Sequence, residues 1–125
     1  MIKILLVGLG GFAGSICRYL VNDTAQKLFS HQYIPYGTIT VNILGCLIIG
    51  VMGGLSETRQ IFSPEIRSMI LIGFLGGFTT FSAFGYELFT AAKSGQIFPA
   101  GVNLMIHVIF GVGAVWFGFV ISKQI

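Results

Sequence analysis

The sequence has few charged residues for its length. Only 9% of its 125 residues are Asp, Glu, Lys or Arg, against about 25% in soluble domains. Four acidic and seven basic side chains are too few to cover the surface that so small a globule exposes to water. This scarcity excludes an ordinary water-soluble fold, and the sequence predicts an integral membrane protein.

Cysteine and clustered functional groups are also scarce. Cys17 and Cys46 lie in apolar runs and are too few for a disulfide framework or a thiolate metal site. The net charge of +3 comes from scattered residues, so we expect no nucleic-acid partner. The sequence offers no carboxylate pair, no plausible Ser/His/Asp set and no metal-ligand cluster, and it does not predict an enzyme.

Long apolar runs account for most of the chain. They cover residues 4–21, 38–55, 69–92 and 99–122, and each is close to the roughly 20 residues with which a helix spans a bilayer. The connections leave no room for a soluble domain. The sequence therefore predicts an all-α membrane protein in which residues 1–125 form one domain of four transmembrane helices.

The connection before the third helix carries a start signal. Ser63 is followed by Pro64 and Glu65. Serine is a favoured N-cap, proline is favoured at the first helical position, and a carboxylate suits the first turn. The third helix is therefore predicted to begin at Pro64.

Positive charge is divided almost evenly between the two ends of the predicted bundle. Four spans put both termini on one side, with four of the seven Lys and Arg residues. These are Lys3, Arg59, Arg67 and Lys123, and the residues opposite are Arg18, Lys27 and Lys93. Orientation follows from differences in Lys and Arg between short loops. We therefore expect the chain to insert in both orientations and to pair as an inverted, dual-topology homodimer.

Glycine is abundant, with 18 residues. Several glycines stand four apart, a spacing that lets membrane helices approach closely. The pairs are Gly10 with Gly14, Gly50 with Gly54, and Gly73 with Gly77. Close helix packing is their expected role.

The first run also permits a second interpretation. Gly8, Gly10 and Ala13 fit the dinucleotide-binding pattern G-x-G-x-x-A. That pattern needs a strand before Gly8 and further βαβ units. The long apolar helices predicted elsewhere disfavour it.

The third apolar run contains a stretch of poor helix formers. They are Gly76, Gly77, Thr79, Thr80 and Ser82. We predict that the helix is broken here, at mid-membrane depth. Lipid tolerates such a break only where its backbone groups are buried in protein or line a wet cavity, and broken helices commonly form ion sites. A glycine-rich crossing without a ligand is the alternative.

Two phenylalanines follow the predicted break. Phe81 and Phe84 are three residues apart and share a helix face. An aromatic ring has a positive edge, so two rings presented edge-on to a narrow pore can attract a small anion. A stripe that faces lipid or the core is the alternative.

Polar residues inside the apolar runs need partners. Asn42 shares a helix face with Thr38 and Gly45, and its amide either joins helices or donates to a permeating anion. Arg18 and Glu87 are charges in or near the membrane. Such groups normally pair with each other or with backbone groups, so a salt bridge or a vestibule role is predicted.

Three motifs resemble the small bacterial fluoride channels called Fluc or CrcB. Residues 11–19 (GFAGSICRY) are similar to the family pattern GxxGxxxRY, and residues 36–42 (YGTITVN) to its GTxxVN segment. Residues 73–82 (GFLGGFTTFS) resemble its GFLGGxTTFS signature. The resemblance covers essentially the whole chain.

The resemblance implies a dual-topology homodimer with two antiparallel pores and a central structural sodium ion. The residues that it implies for the fluoride pore are Phe81, Phe84, Asn42 and Ser82. Those implied for sodium, through their backbone carbonyls, are Gly76 and Thr79. The charges implied for the vestibule or for a structural role are Arg18 and Glu87.

The chain departs from the family pattern in two places. Relatives commonly read FSTFSxE, whereas this chain has Ala83 and Gly85 at two of the hydroxyl positions. His107 and Gly111 replace a serine-rich stripe on the last helix, on the face that also carries Asn103. His107 is expected to be a satisfied interface residue.

The expected function is passive export of fluoride across the bacterial inner membrane. Hydrogen fluoride is a weak acid that crosses membranes neutral and dissociates in the cytoplasm, and a channel lets the anion leave down its gradient. The main alternative is a small multidrug or guanidinium exporter coupled to protons, which needs a carboxylate that residues 4–21 lack. A membrane subunit without transport activity is the second alternative.

Overall fold

The computed structural model describes residues 1–29, 34–59 and 62–125, and the regular structure in these ranges is helical. The elements are α1 (Ile2–Leu28), α2 (Tyr36–Arg59), α3 (Pro64–Ser68), a π-helical segment (Met69–Phe74), α4 (Leu75–Phe78), α5 (Phe81–Lys93) and α6 (Ile97–Ser122). We refer to Pro64–Lys93, which contains the elements from α3 to α5, as the third span.

Four helical stretches are long and apolar enough to cross a membrane, namely Ile2–Leu28, Tyr36–Glu57, Pro64–Lys93 and Ile97–Ser122. Between 11% and 28% of the most apolar window of each stretch is buried within the subunit. Most of this apolar surface therefore needs lipid or a partner to cover it. The predicted all-α fold with four membrane-spanning helices is confirmed.

The first helix is longer than its apolar run. It continues to Leu28, whereas hydropathy predicted a connection from residue 22. Lys27 Nζ lies 2.7 Å from Asp23 Oδ2, and Thr24 Oγ1 donates to a carbonyl one turn earlier at 2.7 Å. Interactions between polar groups four residues apart stabilise a helix. They allow α1 to continue beyond its apolar run. Part of that predicted connection, including His31, lies outside the described residues.

The third span begins where the sequence predicts. Ser63 Oγ accepts a hydrogen bond from the Ile66 amide at 3.3 Å, and Pro64 is the first residue of α3, so the predicted start is confirmed.

The residues before Gly8 belong to α1. Because a helix stands where the dinucleotide-binding alternative needs a strand, that alternative is excluded.

Glycines bring α1 against the first half of the third span. A Cβ atom added at Gly14 would collide with the carbonyl oxygen of Phe74, and one at Gly10 would collide with the backbone of the π-helical segment. Gly73 and Gly77 lie equally close to the backbone of α1. Backbone-to-backbone contact is possible only where side chains are absent, so the predicted packing role of these glycines is confirmed.

Glycines also bring the backbone of α2 against that of α6. A Cβ atom added at Gly50 would collide with the carbonyl of Val115, and one at Gly118 would collide with the carbonyl of Leu47. The sequence predicted the role of Gly50 from its spacing to Gly54. Gly118 was not predicted. Glycines thus bring α1 against the third span and α2 against α6.

Replacing Gly14 by alanine is expected to destabilise the protein by about 1–3 kcal/mol, the usual cost of overpacking, because backbone atoms cannot move aside. Gly8→Ala is the matched control on the same helix. No atom lies within 4 Å of a Cβ atom built at Gly8, and alanine is the better helix former. Thermal unfolding in detergent should give a lower midpoint for Gly14→Ala only. Equal midpoints would contradict the close approach.

The third span is interrupted. The segment α4 ends at Phe78, Thr79 has φ −84° and ψ 161°, Thr80 has φ −149° and ψ 108°, and α5 begins at Phe81. Both threonines are therefore extended, and the helix is interrupted within the predicted glycine and threonine stretch. The π-helical segment upstream was not predicted.

Candidate functional site

Asn42 on α2 holds the interrupted backbone. Its Oδ1 accepts a hydrogen bond from the Thr80 amide at 2.8 Å, and its Nδ2 donates to the Thr80 carbonyl at 3.1 Å. In a continuous helix the Thr80 amide would instead bond to the Gly76 carbonyl. Of the two predicted roles, these contacts show that Asn42 joins helices. The Nδ2 group has two protons, and the contact with Thr80 uses one.

The two threonine side chains complete the local hydrogen bonding. Thr79 Oγ1 donates to the Leu75 carbonyl at 2.9 Å, which also accepts from the Thr79 amide. Thr80 Oγ1 accepts from the Ala83 amide at 3.2 Å and caps α5. A Cβ atom added at Gly45 would collide with the Thr79 methyl group. The interruption is thus packed against α2, and the helix that follows it is capped by Thr80.

Arg18 reaches the same interruption from α1. Its Nη1 donates to the Thr79 carbonyl at 3.2 Å, in a part-buried position. The sequence predicted that Arg18 would pair either with Glu87 or with backbone groups, and the backbone is its partner. The contact brings a permanent positive charge to an extended backbone segment.

Glu87 contacts a different group. The Thr38 hydroxyl donates to Glu87 Oε1, while Glu87 Oε2 is buried without a hydrogen-bond partner in the part of the chain that the structure describes. Both residues line a cavity of about 670 Å³ that Asn103 also lines. Thr38 was not predicted as a site residue, although its spacing of one helical turn from Asn42 was a usable signal.

The two predicted phenylalanines contact each other. Their ring centroids are 5.7 Å apart and the ring planes are inclined by 64°, which is an edge-to-face arrangement. Phe84 is 7% exposed, whereas Phe81 is 82% exposed on the surface of the subunit. One ring therefore belongs to the interior and the other faces outward.

A second cavity, of about 450 Å³, brings most of the predicted site residues together. Its lining includes Asn42, Gly76, Thr79, Phe81 and Phe84. We call it the central cavity. It is less polar than the first cavity, so a bound ion would be held by ring edges and a few polar groups.

Ser82 stands apart from the other predicted pore residues. It is exposed, and its Oγ lies 3.4 Å from Thr80 Oγ1. Arg18 and Glu87 reach the site through Thr79 and Thr38 respectively. The predicted residues therefore lie around the interruption, but not all of them line the central cavity.

His107 on α6 was not predicted as a site residue, and it lines the central cavity. Its Nδ1 lies 3.0 Å from the Asn103 carbonyl. Its Nε2 is buried without a hydrogen-bond partner among the residues that the structure describes. The expectation of a satisfied interface histidine therefore holds for Nδ1 and is not met for Nε2 among the described residues.

Comparison with known proteins gives one consistent result. The family model described as "CrcB-like protein, Camphor Resistance (CrcB)" matches residues 5–119. A fluoride-specific ion channel FluC of Maridesulfovibrio salexigens is 41% identical over 125 residues, covering 100% of this chain and 98% of the relative.

Similar relatives occur in other lineages. FluC of Methylobacillus flagellatus is 36% identical over 124 residues, covering 99% of this chain and 97% of the relative. FluC 1 of Methanosarcina acetivorans is 40% identical over 118 residues, covering 94% and 88% respectively. The similarity extends over almost the full length of both proteins in each case.

Proposed function

The chain belongs to the CrcB family, and from this we infer that it is a fluoride-specific ion channel. Relatives that match its whole length carry that name. It is a multi-pass protein of the inner membrane, with four helices long and apolar enough to span it. As a channel it exports fluoride passively and is not an enzyme.

The single observation that supports this function in the chain itself is the composition of the central cavity. Phe81 and Phe84 meet edge-to-face beside the amide of Asn42. Ring edges and amide protons attract a small anion through their partial positive charges. We propose Phe81, Phe84, Asn42 and Ser82 as the pore residues, with Arg18 and Glu87 as vestibule or structural charges.

We further propose that residues 1–125 act as one domain and that two copies pair in opposite orientations, each pair forming two antiparallel pores. Phe81 is exposed, and no atom lies within 4 Å of a Cβ atom built at Gly76. These residues leave the central cavity open toward the outside of one subunit. A second copy would close it, and the near-even distribution of Lys and Arg supports both orientations.

The interruption is proposed to lie at mid-membrane depth. Thr79 is about halfway along the third span, Pro64–Lys93. Extended backbone in lipid must be buried in protein or line a cavity. Asn42 and Arg18 bond to this backbone from neighbouring helices of the same subunit, which supports its burial in protein.

Dual topology can be tested with a single cysteine near the C-terminus. We would introduce Gln124→Cys into a chain with Cys17→Ala and Cys46→Ala, which leaves every Lys and Arg in place. An impermeant maleimide on intact cells should label about half of the molecules, and permeabilised cells should label fully. Labelling of all molecules or of none in intact cells would contradict an inverted dimer.

A structural sodium ion is proposed at the centre of the dimer, bound by the backbone carbonyls of Gly76 and Thr79. The Thr80 amide bonds to Asn42 instead of Gly76, so the Gly76 carbonyl is released from the helical pattern. The Thr79 carbonyl accepts from Arg18, but a carbonyl oxygen has two lone pairs. Released carbonyls at broken helices are suitable sodium ligands. A bound cation would balance their dipoles and hold the two copies together.

Proton-coupled cation export is the competing function. It needs a membrane-embedded carboxylate in the first helix, and α1 proves long enough to include Asp23. That carboxylate pairs with Lys27 at 2.7 Å, near the end of the helix. A neutralised carboxylate at a helix end is poorly suited to bind a cation and a proton in turn, so the structure favours the channel.

Ion efflux from liposomes tests the function directly. Purified protein should release fluoride down its gradient much faster than chloride, and the rate should not depend on a proton gradient. Protein-free liposomes give the leak of hydrogen fluoride. Proton-coupled cation uptake without fluoride release would support the exporter, and no ion flux from folded protein would support a subunit without transport activity.

A further inference from the structure

His107 lies directly against the aromatic wall of the central cavity. Its ring centroid is 4.1 Å from that of Phe84, with the planes inclined by 33°. Phe84 in turn meets the edge of Phe81. Both His107 and Phe84 line the cavity that contains Asn42. An ionisable ring therefore packs against a proposed pore residue in a tilted arrangement.

The hydrogen bond at Nδ1 determines the neutral form of this histidine. Nδ1 lies 3.0 Å from the Asn103 carbonyl, which is an acceptor and cannot donate. Nδ1 therefore carries the proton in the neutral ring, and Nε2 has a free lone pair. Nε2 is buried and has no hydrogen-bond partner in the described ranges.

A second proton can therefore bind only at Nε2. It would turn the ring into a cation beside the face of Phe84, a contact that favours positive charge. Among the ionisable groups on the packed elements, Cys46 on α2 lines the central cavity together with His107, and Glu87 lies on α5 one turn beyond Phe84. Arg18 lies on α1 and donates a hydrogen bond to the Thr79 carbonyl.

We propose that His107 is a conductance-determining pore residue, whose protonation speeds the passage of fluoride past Phe84 and Phe81. This rests on the proposed channel function. The neutral ring carries no net charge beside the path, whereas the protonated ring attracts an anion. Faster conduction on protonation also suits fluoride export, because hydrogen fluoride enters a cell faster from an acidic medium. A channel that conducts better in acid would remove fluoride when it accumulates fastest.

Fluoride efflux from liposomes at symmetric pH 8 and pH 6 tests this inference, with the leak of protein-free liposomes subtracted at each pH. The parent protein should release fluoride about five-fold faster at pH 6, an order-of-magnitude value for one charge near the path. His107→Gln should show the same rate at both pH values. His31→Gln removes the only other histidine and should retain the parent response.

The outcomes separate the inference from the function on which it rests. Equal parent rates at the two pH values, a slower rate at pH 6, or the same acceleration in His107→Gln each overturns the role of His107 and leaves the channel intact. No fluoride efflux from folded parent protein overturns both. His107→Ser replaces the glutamine variant should that variant not fold.

A spectroscopic measurement checks the protonation itself. In the His31→Gln protein, the ¹⁵N signals of the single histidine should show the Nδ1-protonated neutral ring at pH 8. They should show a doubly protonated ring increasing toward pH 6. A ring that stays neutral across this range, or that carries its proton on Nε2, overturns the inference.

Discussion

Replacing Phe84 by isoleucine is expected to lower fluoride flux about 100-fold, equivalent to roughly 2.7 kcal/mol in the barrier. Isoleucine retains most of the apolar volume but has no positive ring edge to attract the anion. It also removes the edge-to-face contact with Phe81 and the contact with His107. Phe81→Ile should reduce the flux in the same way.

Phe89→Ile is the matched control, because it makes the same chemical change on the same helix. Phe89 is 63% exposed and lies outside the lining of the central cavity. Flux is measured in liposomes with proteins of equal monodispersity and thermal stability. Folded Phe81→Ile and Phe84→Ile proteins that release fluoride as fast as the parent would show that the aromatic pair is not in the path.

Replacing Asn42 by alanine is expected both to destabilise the protein and to abolish measurable flux. The change removes the two hydrogen bonds to the Thr80 backbone and leaves a part-buried amide and a part-buried carbonyl unsatisfied. Each unsatisfied group costs about 1–3 kcal/mol. The extended segment at Thr79 and Thr80 would then lose its attachment to α2, and the geometry around the central cavity with it.

Two companion variants separate the causes. Thr40→Ala changes a residue two positions away, on a different face of α2, and should keep both stability and flux. Asn42→Asp keeps an acceptor for the Thr80 amide and loses the donor for its carbonyl, so it should be intermediate in thermal stability. A stable, fully conducting Asn42→Ala protein would contradict the role of this amide.

Features that depend on a short stretch of chain were predictable. The four membrane-spanning helices follow from the length of the apolar runs, because lipid accepts a chain only when its backbone is hydrogen-bonded internally. The start at Pro64 follows from Ser63, whose side chain caps α3. The interruption at Thr79 and Thr80 follows from a stretch of residues that form helices poorly.

Features that depend on how helices are rotated about their axes were not predictable. Asn42 was equally compatible with two roles until its distance to Thr80 was known. Arg18 and Glu87 are both charges near the membrane, yet one contacts a carbonyl and the other a hydroxyl. Sequence spacing gives the face of a helix on which a residue lies. It does not give the neighbour that the face meets.

Local chemistry therefore dictated the number of spans, the glycine faces and the place of the interruption. Packing between helices dictated the attachment of the interruption to α2 and the contact of His107 with Phe84. The physical reason is the distance along the chain over which each kind of interaction acts. Helix propensity, capping and burial in lipid act within a few residues, whereas these contacts join residues that only the assembled bundle brings together.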